Sequence, residues 1–220
     1  MTPRERLTAA VKGEEVDQKP IIVWPNPHPE ADATIVGLEA MTRMPAQPMA
    51  VLVKILNPFG RAILADGSLS ELIQEDPKEG EKVLDILVDE TSEEISRALA
   101  QGADGIFYRL RGAEPNHCTP MQYGGHYLER DREILGAIPS EKLSVLFVEG
   151  GPETYWDFIS DLPAGIFAWD KATLPIEVDA VRKMRNGPLA TADPSADVLF
   201  GSDFNALKAM QREEVAKAHA

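Results

Sequence analysis

The chain has 220 residues, of which 44% are hydrophobic and 26% are charged, the balance of an ordinary soluble protein. Its 36 acidic residues outnumber its 22 basic residues, and the net charge of −14 disfavours nucleic acid and anionic membrane surfaces as partners. The single cysteine, Cys118, excludes an internal disulfide framework, and no apolar run approaches the roughly 20 residues of a membrane-spanning helix. Because no apolar leader follows Met1, we expect a cytoplasmic protein with one domain over residues 1–220.

Short β-branched and aromatic runs alternate with amphipathic stretches along the chain. Thr2-Pro3 is a typical helix start, and glycine or asparagine residues mark several helix ends. In chain order these patterns predict helix 2–12, strand 21–24, a weak helix 31–41, strand 50–56, helix 76–100, strand 105–108, helix 120–135, strand 143–148, helix 153–159, strand 165–169, helix 175–185, strand 189–192 and helix 202–218.

The alternation indicates parallel strands covered by helices. We count six strand–helix units, whereas a closed (β/α) barrel normally has eight units and about 250 residues. The predicted fold class is therefore α/β, a TIM-type (β/α) barrel that is shortened or incomplete. A doubly wound open sheet is the alternative, although no Gly-x-Gly-x-x-Gly or Walker-type loop follows any strand.

In barrels of this kind, functional side chains lie just after the carboxyl ends of the strands. In chain order, those positions hold Asn26, His28, Arg61, Asp66, Tyr108, Arg109, Arg111, Glu149, Asp170, Lys171 and Asp193. If the fold is a barrel, these side chains meet around a common mouth.

Three arginines in this set predict a binding site for an anion. Arg61, Arg109 and Arg111 converge on one rim if their strands are neighbours, and guanidinium groups bind carboxylates and phosphates in bidentate geometry. Tyr108 and His28 complete the predicted substrate-binding set. The alternative is that the arginines form structural ion pairs with nearby acidic residues.

Two carboxylates are the predicted catalytic residues. Glu149 follows an apolar strand, where partial burial would raise its pKa and suit it to acid–base work. Asp170 has a similar position at the end of the next strand. The alternatives are that Glu149 caps a helix or pairs with an arginine, and that Asp170 caps a helix or pairs with Lys171.

The pair His117-Cys118 is the obvious candidate for a metal site. Adjacent side chains do not readily bind one ion, and the rest of a His/Cys ligand set is absent from the sequence. We therefore predict no metal site and no cofactor.

Several segments resemble the uroporphyrinogen decarboxylase family. The opening Thr2-Pro3-Arg4-Glu5-Arg6-Leu7 is similar to the start of many of these proteins, and Gly102-Ala103-Asp104-Gly105 is similar to their fourth-strand entry. Asn57-Pro58-Phe59 resembles their third-strand region. The resemblance implies a (β/α)8 barrel of the type found in porphyrinogen decarboxylases and in zinc-dependent methyltransferases that act with corrinoid proteins.

The chain departs from both branches of that family. In the decarboxylases an arginine-rich loop follows the first strand, whereas here no arginine occurs between Trp24 and Arg43. The methyltransferases carry a His-x-Cys zinc pair at a position that is Val148-Glu149-Gly150 here. The family's catalytic aspartate and zinc ligands therefore do not transfer to this chain.

The leading hypothesis is an enzyme similar to uroporphyrinogen decarboxylase that acts on a small anionic, carboxylated substrate. The reaction would be decarboxylation, which is lyase chemistry, or methyl transfer. The alternative is a degenerate barrel that binds a ligand or a protein partner without catalysis. Because missing strands would leave sheet edges unpaired, we also expect a homodimer or a larger assembly.

Overall fold

The eight strands in the described part of the chain run parallel and close into one barrel in the order β1 to β8. The computed structural model describes residues 1–26, 28–41, 48–202 and 204–209. The strands are β1 (Ile21–Val23), β2 (Ala33–Val36), β3 (Ala50–Leu56), β4 (Gly105–Leu110), β5 (Leu143–Val148), β6 (Ile166–Trp169), β7 (Leu189–Thr191) and β8 (Val198–Gly201).

Helices cover the outside of the barrel and one of its ends. They are α1 (Pro3–Val11), α2 (Leu38–Met41), α3 (Pro58–Ala65), α4 (Leu69–Glu75), α5 (Pro77–Ala100), α6 (Pro120–Gln122), α7 (Leu128–Gly136), α8 (Trp156–Ile159) and α9 (Val178–Met184). A π-helix, Tyr123–Tyr127, joins α6 to α7, and residues 204–209 are also helical.

Inward-pointing side chains fill the barrel in layers, as is usual for this fold. One layer, from odd-numbered strands, contains Ile22, Leu52, Val145 and Ala190. The next layer toward the strands' carboxyl ends, from even-numbered strands, contains Ile35, Phe107, Ala168 and Phe200. Leu7 of α1 joins this cluster, so α1 closes the barrel at the amino ends of the strands.

The pleat of β4 decides which of its side chains face the barrel interior. Phe107 belongs to the interior cluster, whereas Ile106, Tyr108 and Leu110 pack in a second cluster between the barrel and the helices. Because side chains alternate along a strand, Arg109 points to the same side as Phe107. Arg109 is also the register partner of Phe147, another interior residue. β4 therefore places the Arg109 side chain at the mouth of the barrel, where the strands have their carboxyl ends.

The structure confirms the predicted (β/α) barrel. The doubly wound open sheet is wrong, because β1 pairs with β8 and closes the barrel. The count of six strands was two too few. Ala33–Val36 is a strand within the predicted helix 31–41, of which only Leu38–Met41 is helical, and Val198–Gly201 is the eighth strand. The predicted helix 202–218 is described only at residues 204–209.

The chain is shortened in its helical layer and not in its strands. Between β1 and β2, and between β7 and β8, the described residues form no helix. A closed barrel has no unpaired strand edge, so the physical reason we gave for a dimer no longer applies, and the oligomeric state stays a prediction. None of the described helices is long and apolar enough to span a bilayer.

Candidate functional site

An open cavity of about 340 Å³ lies at the mouth, where the strands have their carboxyl ends. It is lined by Trp24, Arg109, Arg111, Phe147, Val148, Glu149, Gly150, Asp170 and Thr173. These residues follow or end β1, β4, β5 and β6, which is the region where (β/α) barrels carry their active sites.

Glu149 bridges the two arginines of this mouth. One of its carboxylate oxygens accepts a hydrogen bond from Arg109 Nε. The other oxygen accepts from Arg111 Nε at 3.0 Å and lies 2.8 Å from Arg111 Nη2. The triad carries a net charge of +1. The ion-pair alternative is thus realised for Glu149, and both of its oxygens are engaged.

An aromatic floor supports the cationic rim. The Arg109 guanidinium carbon lies 5.4 Å from the centre of the Trp24 ring, within cation–π distance. The Trp24 ring lies 6.0 Å from Phe147 and 6.1 Å from Phe107, and Phe147 lies 5.1 Å from Phe200. A ligand in the mouth would therefore meet charge on one side and apolar rings below.

Asp170 is the carboxylate of the mouth that has a free oxygen. One oxygen accepts from Ala172 N at 2.9 Å, and the other has no hydrogen-bond partner in the described part of the chain. Lys171 binds Asp193 at 2.7 Å and Glu177 at 2.6 Å, so the alternative of an Asp170–Lys171 pair is not realised. Lys171 lowers the pKa of Asp193 to about 2.

Three predicted substrate-binding residues lie outside this cavity. Arg61 is on α3, where its guanidinium pairs with Glu94 of α5 and its Nε donates to Leu56 O at 3.0 Å. His28 stacks on Phe204, with ring centres 3.8 Å apart. The expected convergence of three arginines is therefore corrected to two.

Tyr108 is the third of these residues, and it is fully buried behind the mouth. Its hydroxyl donates to Asp131 Oδ1 at 2.6 Å. The same carboxylate accepts from Asn57 Nδ2 at 3.3 Å, and burial raises the pKa of Asp131 to about 7. This buried group was not predicted, although Asn57-Pro58 is a recognisable helix start.

The residues do not fit the zinc site that the family resemblance would imply. Glu149 is held between two arginines, and its neighbours Val148 and Gly150 offer no metal-binding side chain. Within residues 1–26, 28–41, 48–202 and 204–209, no group of three His, Cys, Asp or Glu side chains is placed to hold a metal ion. His117 instead lies 3.4 Å from Glu114, and Cys118 is buried.

Comparison with known proteins supports the architecture. No protein-family model matches the sequence, and no curated protein matches it. Among solved structures, a methyltransferase from Methanosarcina mazei superposes with a TM-score of 0.75. That superposition covers 100% of both chains at 12% sequence identity, so the likeness concerns the fold.

Proposed function

We propose that the chain is a uroporphyrinogen decarboxylase-like enzyme whose barrel mouth binds a small carboxylated molecule. Arg109 and Arg111 hold a carboxylate of this substrate, and Asp170 transfers a proton. The observation that carries the proposal is the charge balance of the mouth, where two arginines share one carboxylate above an aromatic floor.

The arginines keep enough donors for a ligand. Each guanidinium has five N–H groups, and Glu149 engages only Nε of Arg109 and Nε and Nη2 of Arg111. The remaining N–H groups make no hydrogen bond to described residues. Charge-assisted hydrogen bonds of this kind are short and strong, and they favour a planar anion such as a carboxylate.

Decarboxylation is the reaction that suits this arrangement best. The bond from the α-carbon to a second carboxylate breaks, carbon dioxide leaves, and the electron pair stays on the α-carbon. A proton from water, passed through the Asp170 carboxylate, adds to that carbon, so that a C–H bond replaces the bond to the lost carboxylate. A carboxylate placed over the rings of Trp24 and Phe147 loses part of its hydration, which favours its conversion to neutral carbon dioxide.

Methyl transfer is the second candidate, because a methyltransferase shares the whole fold. In that reaction a nucleophilic group of the acceptor takes the methyl carbon from a methyl donor, and the donor leaves with the electron pair of the broken bond. Asp170 would then accept the proton that the acceptor loses.

The test is calorimetric binding of acetate, succinate, citrate and inorganic phosphate to the purified chain. We expect a carboxylate to bind to the wild type and the Arg109→Ala variant to bind it at least tenfold more weakly. Arg132→Ala is the matched control, because Arg132 pairs with Asp161 on the surface. This variant should bind the carboxylate with the wild-type affinity. Unaltered binding by Arg109→Ala would exclude the mouth as the site.

A second measurement separates an enzyme from a binding protein. The bound carboxylates are incubated with the chain and followed by NMR, alone and with a methyl donor. Turnover that Asp170→Asn abolishes without weakening binding supports catalysis. Binding with no turnover of any bound compound supports instead the non-catalytic alternative.

A further inference from the structure

We infer that Asn57 is a positioning residue that fixes Arg111 in the mouth and is itself oriented by Asp131. The inference rests on the proposed function, because it concerns an arginine of the proposed carboxylate site. Asn57 and Asp131 do not line the cavity and act through the main chain of Arg111.

Asn57 holds Arg111 at two points. Its Oδ1 accepts from the Arg111 backbone N–H at 3.0 Å, and its Nδ2 donates to the Arg111 carbonyl at 3.2 Å. The Asn57 backbone N–H also donates to the carbonyl of Arg109 at 3.0 Å. These three bonds extend the β3–β4 ladder beyond its last paired residues, so the two arginines leave β4 on a fixed path.

The orientation of the Asn57 amide is determined by its fully buried surroundings. Oδ1 faces two backbone donors, Arg111 N and Gly60 N, the latter at 3.1 Å. Nδ2 faces two acceptors, Arg111 O and Asp131 Oδ2. A flipped amide would set its N–H groups against the Arg111 and Gly60 N–H groups and its oxygen against the Arg111 carbonyl, which costs free energy in a buried site.

Helix capping alone does not account for this residue. Asn57 is the N-cap of α3, but the cap uses only its bond to Gly60 N. The other side-chain bonds go to Arg111 and Asp131. Gly60 permits this close approach, because a Cβ at that position would collide with Asn57 Oδ1 and lie 3.1 Å from Arg111 Cβ.

The test uses Asn57→Ser, which keeps an N-cap acceptor and removes the amide donors. The matched control is Asp76→Ser, at the N-cap of α5, whose side chain accepts from Glu79 N and has no bond to the mouth. In Asn57→Ser we expect the Arg111 amide proton to exchange at least a hundredfold faster and the Arg111 Nε–H resonance to shift. The dissociation constant for the carboxylate bound by the wild type should rise about tenfold. Asp76→Ser should change none of these.

A measurement on the wild type keeps the inference testable if Asn57→Ser does not fold. The geometry predicts a through-hydrogen-bond coupling between the Arg111 amide nitrogen and Asn57 Cγ, and its absence would overturn the inference. A folded Asn57→Ser variant with the wild-type Arg111 signals and affinity would overturn it as well. If no carboxylate binds the wild type, the proposed function fails, while the NMR measurements still decide the role of Asn57.

Discussion

The two ends of the barrel each carry an arginine–carboxylate cluster, and the two clusters have opposite composition. At the amino ends of the strands, Arg6 lies between Asp17 and Asp32, with Nε 2.6 Å from Asp17. At the mouth, Glu149 lies between Arg109 and Arg111. The three side chains of the first cluster sum to −1, which the N-terminal ammonium of Met1, 3.0 Å from Asp17, neutralises, whereas the second cluster has a formal charge of +1.

The surroundings of the clusters differ as much as their charges. Arg6 is 8% exposed and Asp32 is 1% exposed, and Asp32 also accepts from Ile21 N at 2.8 Å. That cluster ties α1 to the starts of β1 and β2, and its Arg6–Asp32 pair is buried. The mouth cluster lines an open cavity. Surplus positive charge in a chain of net charge −14 is thus kept where a small anion can enter.

Asp131 adds a third case, a carboxylate buried without a cation. It is 1% exposed and is held by Tyr108 and Asn57, and no ion pair joins it to a cationic side chain among the described residues. Burial disfavours its charged form, so its pKa rises to about 7. Asp32, Glu149 and Asp131 should therefore respond differently to substitution and to pH.

The largest effect is expected for Arg6→Ala. Removing the cation leaves Asp32 buried and unpaired, and breaking a buried ion pair in this way typically costs about 3–5 kcal/mol. The free energy of unfolding, measured in urea at pH 7, should fall by that amount. Arg182→Ala is the control at the same end of the barrel, because its pair with Asp197 is exposed and worth about 1 kcal/mol or less. Equal losses in the two variants would contradict the structural role of the Arg6 cluster.

The next effect is expected for Asp131→Asn and depends on pH. The folded pKa of Asp131 is about 7 and lies above the unfolded value, so the folded state holds a proton that the unfolded state releases between about pH 4 and pH 7. This contribution to stability is present at pH 4 and is lost as the pH rises through 7. The difference in unfolding free energy between Asp131→Asn and wild type should grow by about 4 kcal/mol from pH 4 to pH 8.

Urea titrations of both proteins across this pH range measure that difference. Asp157→Asn, an exposed carboxylate on α8, removes the same charge and should show a flat difference. A flat difference for Asp131→Asn too would show that Asp131 titrates normally.

A smaller effect, a change in the affinity for the ligand, is expected for Glu149→Gln. The change removes the carboxylate that neutralises one arginine, so the mouth gains one positive charge. We expect the carboxylate probe to bind about tenfold more tightly, equivalent to about 1.4 kcal/mol, with less gain at high salt. Glu153→Gln changes the net charge equally at an exposed position and should leave the affinity unaltered. Weaker binding by Glu149→Gln would mean that Glu149 serves chiefly to hold the arginines in place.

The strands that could be predicted from the sequence are those with distinct β-branched or aromatic runs and clear turn signals. Residues 33–36 were assigned to a helix because a short strand buried on both faces shows no alternation of apolar and polar residues, so periodicity does not distinguish it from a helix. The eighth strand, Val198–Gly201, is equally short and buried throughout. Barrel closure, which joins β8 to β1, depends on pairing between distant segments that no local pattern reveals.

The site could be predicted in part, because residues that end parallel strands meet at one mouth. That rule brought together Arg109, Arg111, Glu149 and Asp170, which line one cavity, and their roles stay a prediction. It could not give side-chain direction, so Tyr108, one residue from Arg109, was assigned to the mouth although the pleat turns it to the helices. Asp131 was missed because its partners, Asn57 at the start of α3 and Tyr108 of β4, lie 74 and 23 residues away in the sequence.

The smallest effect is expected for Arg61→Ala, which checks the correction to the predicted site. Arg61 and Glu94 are 21% and 30% exposed in their side chains, and partly exposed pairs of this kind contribute about 1 kcal/mol or less. We expect a loss of that size in the free energy of unfolding and no change in carboxylate affinity, because Arg61 does not line the cavity. Calorimetric titration beside Arg109→Ala makes the comparison direct, since each variant removes one guanidinium group. If Arg61→Ala weakened binding as much as Arg109→Ala, the cationic site would extend from the mouth to the Arg61–Glu94 pair. The net charge that attracts the ligand would then come from three arginines and not from Arg109 and Arg111 alone.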